Sequence, residues 1–284
     1  MTQTLATASE YRIGGELAVR RLGFGAMRIT GQDIWGPPAH RQVAKTVLRR
    51  ALELGVNLID TADSYGPAVS EELIAEVLHP YPAGLVIATK GGLTRPGPGE
   101  WVPNGRPEYL RGALDASLKR LKLERIDLYQ LHSPDPQVPF AESVGALAEQ
   151  QRLGKIRYVG LSNVSTSQLA AARKIVPIVS VQNRYNLSDR ASEKVLDACE
   201  QADIAFIPWF PLATGDLARG SGKLGKVARE LGKSTGQVAL AWLLQRSPVM
   251  LPIPGTGSLE HLEENCGAAS VTLNPEQWRS LDHN

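Results

Sequence analysis

One short apolar run that ends on an ionisable side chain reads Val56-Asn57-Leu58-Ile59-Asp60. The ranges 85–90 and 126–132 have the same form and end on a lysine and a histidine. Short apolar runs separated by amphipathic helices are typical of buried parallel strands, whose carboxyl ends meet at one edge of a sheet. We therefore expect a carboxylate, an ammonium and an imidazole to converge there, with the phenol of Tyr65 beside them.

Strand-like and helix-like segments alternate along most of the chain. Eight strand candidates lie near residues 21–25, 56–60, 85–90, 126–132, 157–162, 177–182, 204–209 and 248–253. The segments between them carry apolar residues at helical spacing, with start signals at Pro107, Ser165 and Ser192. Eight βα units in 284 residues predict a (β/α)₈ TIM barrel, a fold that typically needs about 250 residues. A doubly wound open sheet is the main alternative, and the strand count disfavours it.

A hairpin and two loops complete this barrel. Apolar residues alternate on either side of Gly14-Gly15, which predicts a β-hairpin with a two-residue turn over about residues 10–20, as a plug at one end of the barrel. Two loops rich in glycine and proline follow strands and carry Trp35 and Trp101. Barrel enzymes build their substrate loops at this rim, so we expect both tryptophans to contact the substrate. No linker divides the sequence, so a single domain over residues 1–284 is expected.

Composition argues against several classes of protein. The net charge of +2, without a concentrated basic face, disfavours a nucleic-acid binder. No apolar stretch approaches the roughly 18–20 residues of a membrane span, and the first residues do not form a secretory signal, so a cytoplasmic location is expected. Cys199 and Cys266 have apolar neighbours and are interpreted as reduced, packed thiols. No cluster of histidine, cysteine and carboxylates has the spacing of a metal site.

The four side chains at the strand ends form a plausible proton-transfer set. A tyrosine has a pKa of about 10 in water, and a neighbouring ammonium favours its ionised form. Asp60 can pair with Lys90, which offsets the cost of burying the ammonium, while Lys90 polarises Tyr65. His132 can then orient a carbonyl oxygen that receives the proton. A structural ion pair explains Asp60 or Lys90 alone, and a rim residue with satisfied hydrogen bonds explains His132 alone, whereas the group of four favours catalysis.

The order and spacing of several motifs resemble the aldo-keto reductases. These motifs are Asp60–Gly66, Lys90, Leu131-His132, 160–163, 182–186, 253–256 and Glu264-Asn265. The resemblance implies a (β/α)₈ barrel with an N-terminal hairpin, and hydride transfer from a reduced nicotinamide to a carbonyl. It also implies that Tyr65 is the general acid, that Lys90 and Asp60 tune it, and that His132 orients the carbonyl.

The same resemblance assigns residues to the cofactor. Ser162, Asn163 and Gln182 match residues that hydrogen-bond the nicotinamide carboxamide, and Trp209 matches the aromatic residue that stacks on the ring. A core-packing role remains the alternative for Trp209. The other positions assigned to the cofactor are Gly25, Met27, Asp60, Phe210, Pro211, Leu212, Gly255, Thr256, Gly257, Ser258, His261, Glu264 and Asn265.

Two of these positions bear on the choice of cofactor. Many aldo-keto reductases hold the adenosine 2′-phosphate with a lysine and an arginine, but the matching positions here carry Gly255 and His261. Thr256, Ser258 and the free N–H groups of a helix that begins at Leu259 remain as phosphate donors. We expect NADP(H), with NAD(H) as the alternative.

The substrate is expected to be a small-molecule aldehyde or ketone. The segments 35–38, 210–212 and 241–248 resemble the bacterial pyridoxal reductase-like branch of the family, which makes pyridoxal a candidate. A barrel subunit that binds NADPH and senses redox state with little turnover is the alternative from another class. A barrel isomerase or lyase that handles phosphates is a third interpretation. The oligomeric state is open, and a monomer is compatible with the sequence.

Overall fold

The computed structural model describes residues 10–219 and 222–282. The chain begins there with the predicted hairpin, in which β1 (Glu10–Ile13) pairs antiparallel with β2 (Leu17–Arg20). Ile13 lies opposite Leu17, so the turn has three residues rather than the two that the glycine pair predicted. Ile13 and Val19 are fully buried and pack in one apolar cluster with Leu58 and Leu128, so the hairpin covers an end of the sheet interior.

A curved sheet of seven parallel strands forms the centre of the molecule. In spatial order these strands are β3 (Phe24–Gly25), β4 (Leu58–Asp60), β5 (Val86–Gly91), β8 (Ile126–Leu131), β9 (Ile156–Ser162), β10 (Ile178–Gln182) and β11 (Ala205–Phe206). Between β5 and β8, the two short strands β6 (Leu93–Thr94) and β7 (Val102–Pro103) form an antiparallel ribbon of their own. Spatial neighbours in the parallel sheet are consecutive in sequence, as in a barrel.

The eighth predicted strand, 248–253, is not a regular strand in the described part of the chain. It makes one parallel bridge, between Met250 and Phe206. The N–H of Leu251 donates to the carbonyl of Phe206 at 2.8 Å, and the N–H of Gly23 donates to the carbonyl of Pro252 at 2.9 Å. The segment therefore joins the two edges of the sheet. Pro252 cannot donate a ladder hydrogen bond, which explains why regular pairing fails there.

Ten α-helices occur in the described residues. They are α1 (Arg41–Glu53), α2 (Val69–Leu78), α3 (Pro107–Leu121), α4 (Phe140–Arg152), α5 (Thr166–Ala172), α6 (Glu193–Gln201), α7 (Gly222–Leu231), α8 (Thr235–Arg246), α9 (Leu259–Gly267) and α10 (Pro275–Asp282). The predicted starts at Pro107 and Ser165 are confirmed, and Ser165 forms a full capping box with Gln168. Ser192 also precedes its helix, but its side chain makes no capping hydrogen bond. None of these helices has the length and apolar character needed to cross a bilayer.

Alternating strands and helices thus give the barrel that the sequence predicts, with the N-terminal hairpin in place. The helices bury apolar stripes against the strands, as α1 does with Ala44, Val47, Leu48 and Ala51. All seven parallel strands direct their carboxyl ends to one rim, and the loops that follow them build the site described next.

Candidate functional site

Neighbouring strands bring the predicted polar residues together at the carboxyl rim. Asp60 ends β4, Lys90 lies in the last two residues of β5, and His132 directly follows β8. Asp60 is paired with Ala88 in the next strand, which places Lys90 two residues beyond it at the rim. Tyr65 lies in the turn between β4 and α2. The convergence that the sequence predicts for these four side chains is therefore observed.

Lys90 is the most deeply buried charge of the group. Its side chain is 0% exposed, and its Nζ donates to Asp60 Oδ1 at 2.6 Å, to the carbonyl of Thr61 at 2.8 Å and to the Tyr65 hydroxyl at 3.4 Å. Burial is the largest single influence and acts to lower the pKa of Lys90, but the charge of Asp60, the nearby Tyr65 and the hydrogen bonds to both together outweigh it, and the pKa is raised above its usual value. Lys90 therefore stays an ammonium with all three protons directed at oxygen atoms.

The second oxygen of Asp60 is held by two amides. Gln130 Nε2 donates to Oδ2 at 3.2 Å, and Gln182 Nε2 donates to it at 2.9 Å. No motif in the sequence singles out Gln130. It lies two residues before His132 in β8, so its side chain points to the same face, and that spacing is the signal by which it could have been found.

Tyr65 keeps its proton in this environment. Burial is the largest influence and raises the pKa of Tyr65. The nearby Lys90 ammonium acts to lower this pKa, but the net shift is upward. The sequence pattern indicates the effect of Lys90 on this pKa but not the larger effect of burial. A protonated phenol at the edge of a cavity can act as a proton donor.

His132 is neutral and lies beside Tyr65. The two rings meet edge to face with centroids 5.8 Å apart. Burial, with a further contribution from the charge of Lys90, lowers the pKa of His132 well below its usual value. His132 Nδ1 lies 3.3 Å from the hydroxyl of Ser64. When Ser64 donates this hydrogen bond, Nε2 carries the ring proton and can donate to a carbonyl oxygen.

A cavity of about 950 Å³ opens above these residues. The predicted site residues that line it are Gly25, Met27, Asp60, Tyr65, Trp101, His132, Ser162, Asn163, Gln182, Trp209, Phe210, Pro211, Leu212, Gly255, Thr256, Gly257, His261, Glu264 and Asn265. Three predicted residues do not line it. Lys90 lies behind Tyr65, Ser258 caps α9 by accepting from the His261 N–H, and Trp35 packs beside Arg95.

At one end of the cavity, the side chains of three predicted cofactor residues are held by hydrogen bonds within the protein. The side-chain amide of Asn163 donates to the carbonyl of His132 at 3.0 Å and to Ser162 Oγ at 3.1 Å, and its oxygen accepts from Trp209 Nε1 at 3.1 Å. Among the described contacts, the Ser162 hydroxyl proton and Gln182 Oε1 have no protein partner. One donor and one acceptor therefore remain for a ligand amide such as a carboxamide.

The other end of the cavity lies at the start of α9. Gly25 and Gly255 approach so closely that a Cβ on Gly255 would lie 2.4 Å from the Gly25 carbonyl oxygen. The cavity is also lined by Arg28 and Arg219, which the sequence motifs do not predict. Arg219 pairs with Asp216 at 2.8 Å, whereas Arg28 is exposed and has no carboxylate partner among the described residues. Arg28 therefore adds a positive charge to the end where a phosphate was expected.

Comparison with known proteins agrees with this geometry. Residues 21–283 match the model of the aldo/keto reductase family. The chain is 45% identical over 275 residues to the pyridoxine 4-dehydrogenase of Escherichia coli (strain K12), covering 94% of this chain and 96% of that protein. It is 52% identical over 268 residues to an uncharacterized oxidoreductase of Schizosaccharomyces pombe, covering 94% of this chain and 87% of that protein.

Solved structures of related proteins have the same fold as this chain. The glycerol dehydrogenase of Gluconobacter oxydans superposes with a TM-score of 0.89 at 28% identity, covering 97% of this chain and 94% of that chain. An aldo-keto reductase from Klebsiella pneumoniae in complex with NADPH superposes with a TM-score of 0.83 at 27% identity, with the same coverage of 97% and 94%.

Proposed function

The chain belongs to the aldo/keto reductase family, as the sequence motifs predicted, and from this premise we propose that it reduces an aldehyde or ketone to the alcohol with NADPH. The observation that carries the proposal is the contact of Lys90 with both Asp60 and Tyr65 at the wall of a cavity that also contains His132. This set provides an acid and an orienting donor for one carbonyl oxygen.

The residues of this chain suit the cofactor. The Ser162 hydroxyl and Gln182 Oε1 face a cavity wall on which Trp209 offers a stacking surface, and the start of α9 with Arg28 offers donors for phosphate. When bound, reduced nicotinamide supplies the hydride. An NADP(H)-binding relative with 27% identity supports the choice of NADP(H) over NAD(H).

The proton steps follow from the contacts. The His132 Nε2–H and the Tyr65 hydroxyl both donate to the carbonyl oxygen of the substrate, which fixes the carbonyl carbon in the cavity. As negative charge develops on that oxygen, Tyr65 transfers its phenolic proton to it. The Lys90 ammonium stabilises the resulting phenolate, and Asp60 keeps that ammonium charged. Reprotonation of Tyr65 from solvent restores the starting state.

We further propose pyridoxal as a substrate, with pyridoxine as the product. The support is the 45% identity to a pyridoxine 4-dehydrogenase over nearly the full length of both proteins.

The test is the loss of NADPH absorbance during incubation with a panel of aldehydes that includes pyridoxal. We expect multiple turnovers on several aldehydes and faster oxidation of NADPH than of NADH. Equal or faster use of NADH would contradict the cofactor assignment. A single turnover of bound NADPH followed by very slow cycling would contradict the enzymatic proposal and favour a redox-sensing subunit.

A further inference from the structure

Arg95 is a charged residue buried where three rim loops meet. It lies directly after β6, its side chain is buried, and its hydrogen-bond acceptors are backbone carbonyls. Nε donates to Glu100 at 2.8 Å, Nη1 donates to Ile34 at 3.0 Å and to Ser64 at 3.1 Å, and Nη2 donates to Asp33 at 3.1 Å. These acceptors belong to the loops that follow β3, β4 and β5. The planar, fork-shaped guanidinium group of Arg95 therefore holds all three loops together by hydrogen bonds.

The same guanidinium supports the aromatic wall of the cavity. Its central carbon lies 3.7 Å from the ring centroid of Trp101 and 5.6 Å from that of Trp35. Trp101 in turn meets Tyr65 and His132 edge to face, at centroid distances of 6.3 and 6.4 Å. Trp101 thus packs between a buried cation and the two residues that would contact the substrate carbonyl.

Arg95 also stabilises an unfavourable backbone conformation. Asp33 and Ile34 have φ angles of 54° and 58°, in the left-handed region that is disfavoured for a β-branched residue such as Ile34. The carbonyls of both residues accept from Arg95. The Ile34 carbonyl accepts a second hydrogen bond, at 3.2 Å, from the N–H of Gly66, the residue after Tyr65. Arg95 therefore links this loop to the turn that carries Tyr65.

We propose that Arg95 is a positioning residue that sets the affinity for the carbonyl substrate by holding Trp101 in place. The inference rests on the proposed function, since it concerns the substrate end of the same cavity. Most residues assigned to the cofactor lie on or next to β9 and β10 and in the segments 209–212 and 255–265. The other three, Gly25, Met27 and Asp60, lie on or near β3 and β4, and none of the assigned residues is an acceptor of the described Arg95 hydrogen bonds. Loss of Arg95 should therefore weaken substrate binding and leave NADPH binding intact.

The experiment is a double-mutant cycle with Arg95→Met, Trp101→Leu and the combined variant. Methionine keeps an unbranched apolar stem and removes the fork and the charge. We expect Arg95→Met to raise the KM for pyridoxal and benzaldehyde about tenfold, a value between those for losing an exposed and a fully desolvated cation–π contact, with a smaller change in kcat. In the Trp101→Leu background, Arg95→Met should change the KM little further. Arg95→Lys, which retains the charge without the fork, should restore the KM only in part.

A matched control is available at the other end of the barrel. Arg21 also donates to backbone carbonyls, at 2.6 Å to Leu244 and 3.3 Å to Met250, but it precedes β3 and is not among the residues that line the cavity. Arg21→Met should lower the melting temperature and leave the KM unchanged. This control separates a general loss of packing from the specific effect at Trp101.

Two results would overturn the inference. One is a KM increase of the same factor in both backgrounds, and the other is a parallel rise in the Kd for NADPH, measured by fluorescence titration. The same double-mutant cycle can be measured without turnover, by using calorimetry to obtain the Kd of pyridoxal for the NADP⁺-bound form of each variant. An inactive parent protein would therefore contradict the proposed function alone, because the cycle of binding measurements would still decide the role of Arg95. A parent protein that binds no aldehyde would overturn both.

Discussion

Replacement of Asp60 by asparagine should reveal how strongly the buried ammonium depends on its carboxylate. In the native site, Asp60 Oδ1 accepts from Lys90 at 2.6 Å, and Oδ2 accepts from the amides of Gln130 and Gln182. Asparagine keeps one acceptor for Lys90. It places an NH₂ group against two other NH₂ groups, so those amide contacts are lost or must rearrange.

The expected cost follows from the burial of the pair. Lys90 and Asp60 are 0% and 2% exposed, and removal of one partner from a buried ion pair costs about 3–5 kcal/mol. Lys155 and Asp115 form a matched control with the same 2.6 Å distance, but their side chains are 38% and 55% exposed. Exposed pairs contribute only about 0.2–1 kcal/mol, so Asp115→Asn should have a small effect.

Urea unfolding followed by circular dichroism at several pH values is the assay. Without Asp60, burial should lower the pKa of Lys90 below that of the unfolded chain, so the unfolded state would bind more protons. The unfolding free energy of Asp60→Asn should then rise with pH relative to the parent, by at most about 1.4 kcal/mol per unit. A penalty no larger than that of Asp115→Asn, or one independent of pH, would refute this reasoning.

Two further predictions concern pH. Burial, with the charge of Glu71, raises the pKa of Asp63 from 3.8 to about 8, so the folded carboxyl is protonated where the unfolded one is ionised. Asp63→Asn should therefore become more stable relative to the parent by about 1.4 kcal/mol per pH unit between about pH 4 and 8; urea unfolding showing a constant difference would contradict this. For aldehyde reduction, kcat/KM should be constant between about pH 6 and 9, because the pKa of His132 is lowered and that of Tyr65 is raised. An acidic limb near pH 6.5, the usual imidazole pKa, would show that His132 must be neutral but titrates normally.

The sequence predicts the strand-end residues well, for a simple geometric reason. Parallel strands of one sheet share a rim, so apolar runs that end on Asp60, Lys90 and the residue before His132 necessarily bring those side chains together. The periodicity of helices and the cap at Ser165 are equally local signals, and the structure bears them out.

Features that depend on backbone geometry cannot be predicted from the sequence in the same way. The segment 248–253 has strand composition, yet its prolines leave it only a single bridge. Arg95 binds backbone carbonyl groups, which every residue has whatever its side chain. No sequence motif therefore indicates its role. The distinction between Trp101, which lines the cavity, and Trp35, which packs beside Arg95, depends on loop conformation for the same reason.

The most direct test of the account is the turnover of Tyr65→Phe, compared with Tyr81→Phe. The hydroxyl of Tyr81 makes one described hydrogen bond, which it donates to the Leu121 carbonyl at 2.7 Å, and Tyr81 is not among the cavity residues. We predict that Tyr65→Phe lowers kcat for aldehyde reduction by at least about 10²-fold, with the Kd for NADPH nearly unchanged, while Tyr81→Phe retains kcat. Near-normal turnover of Tyr65→Phe would contradict the assignment of Tyr65 as the proton donor.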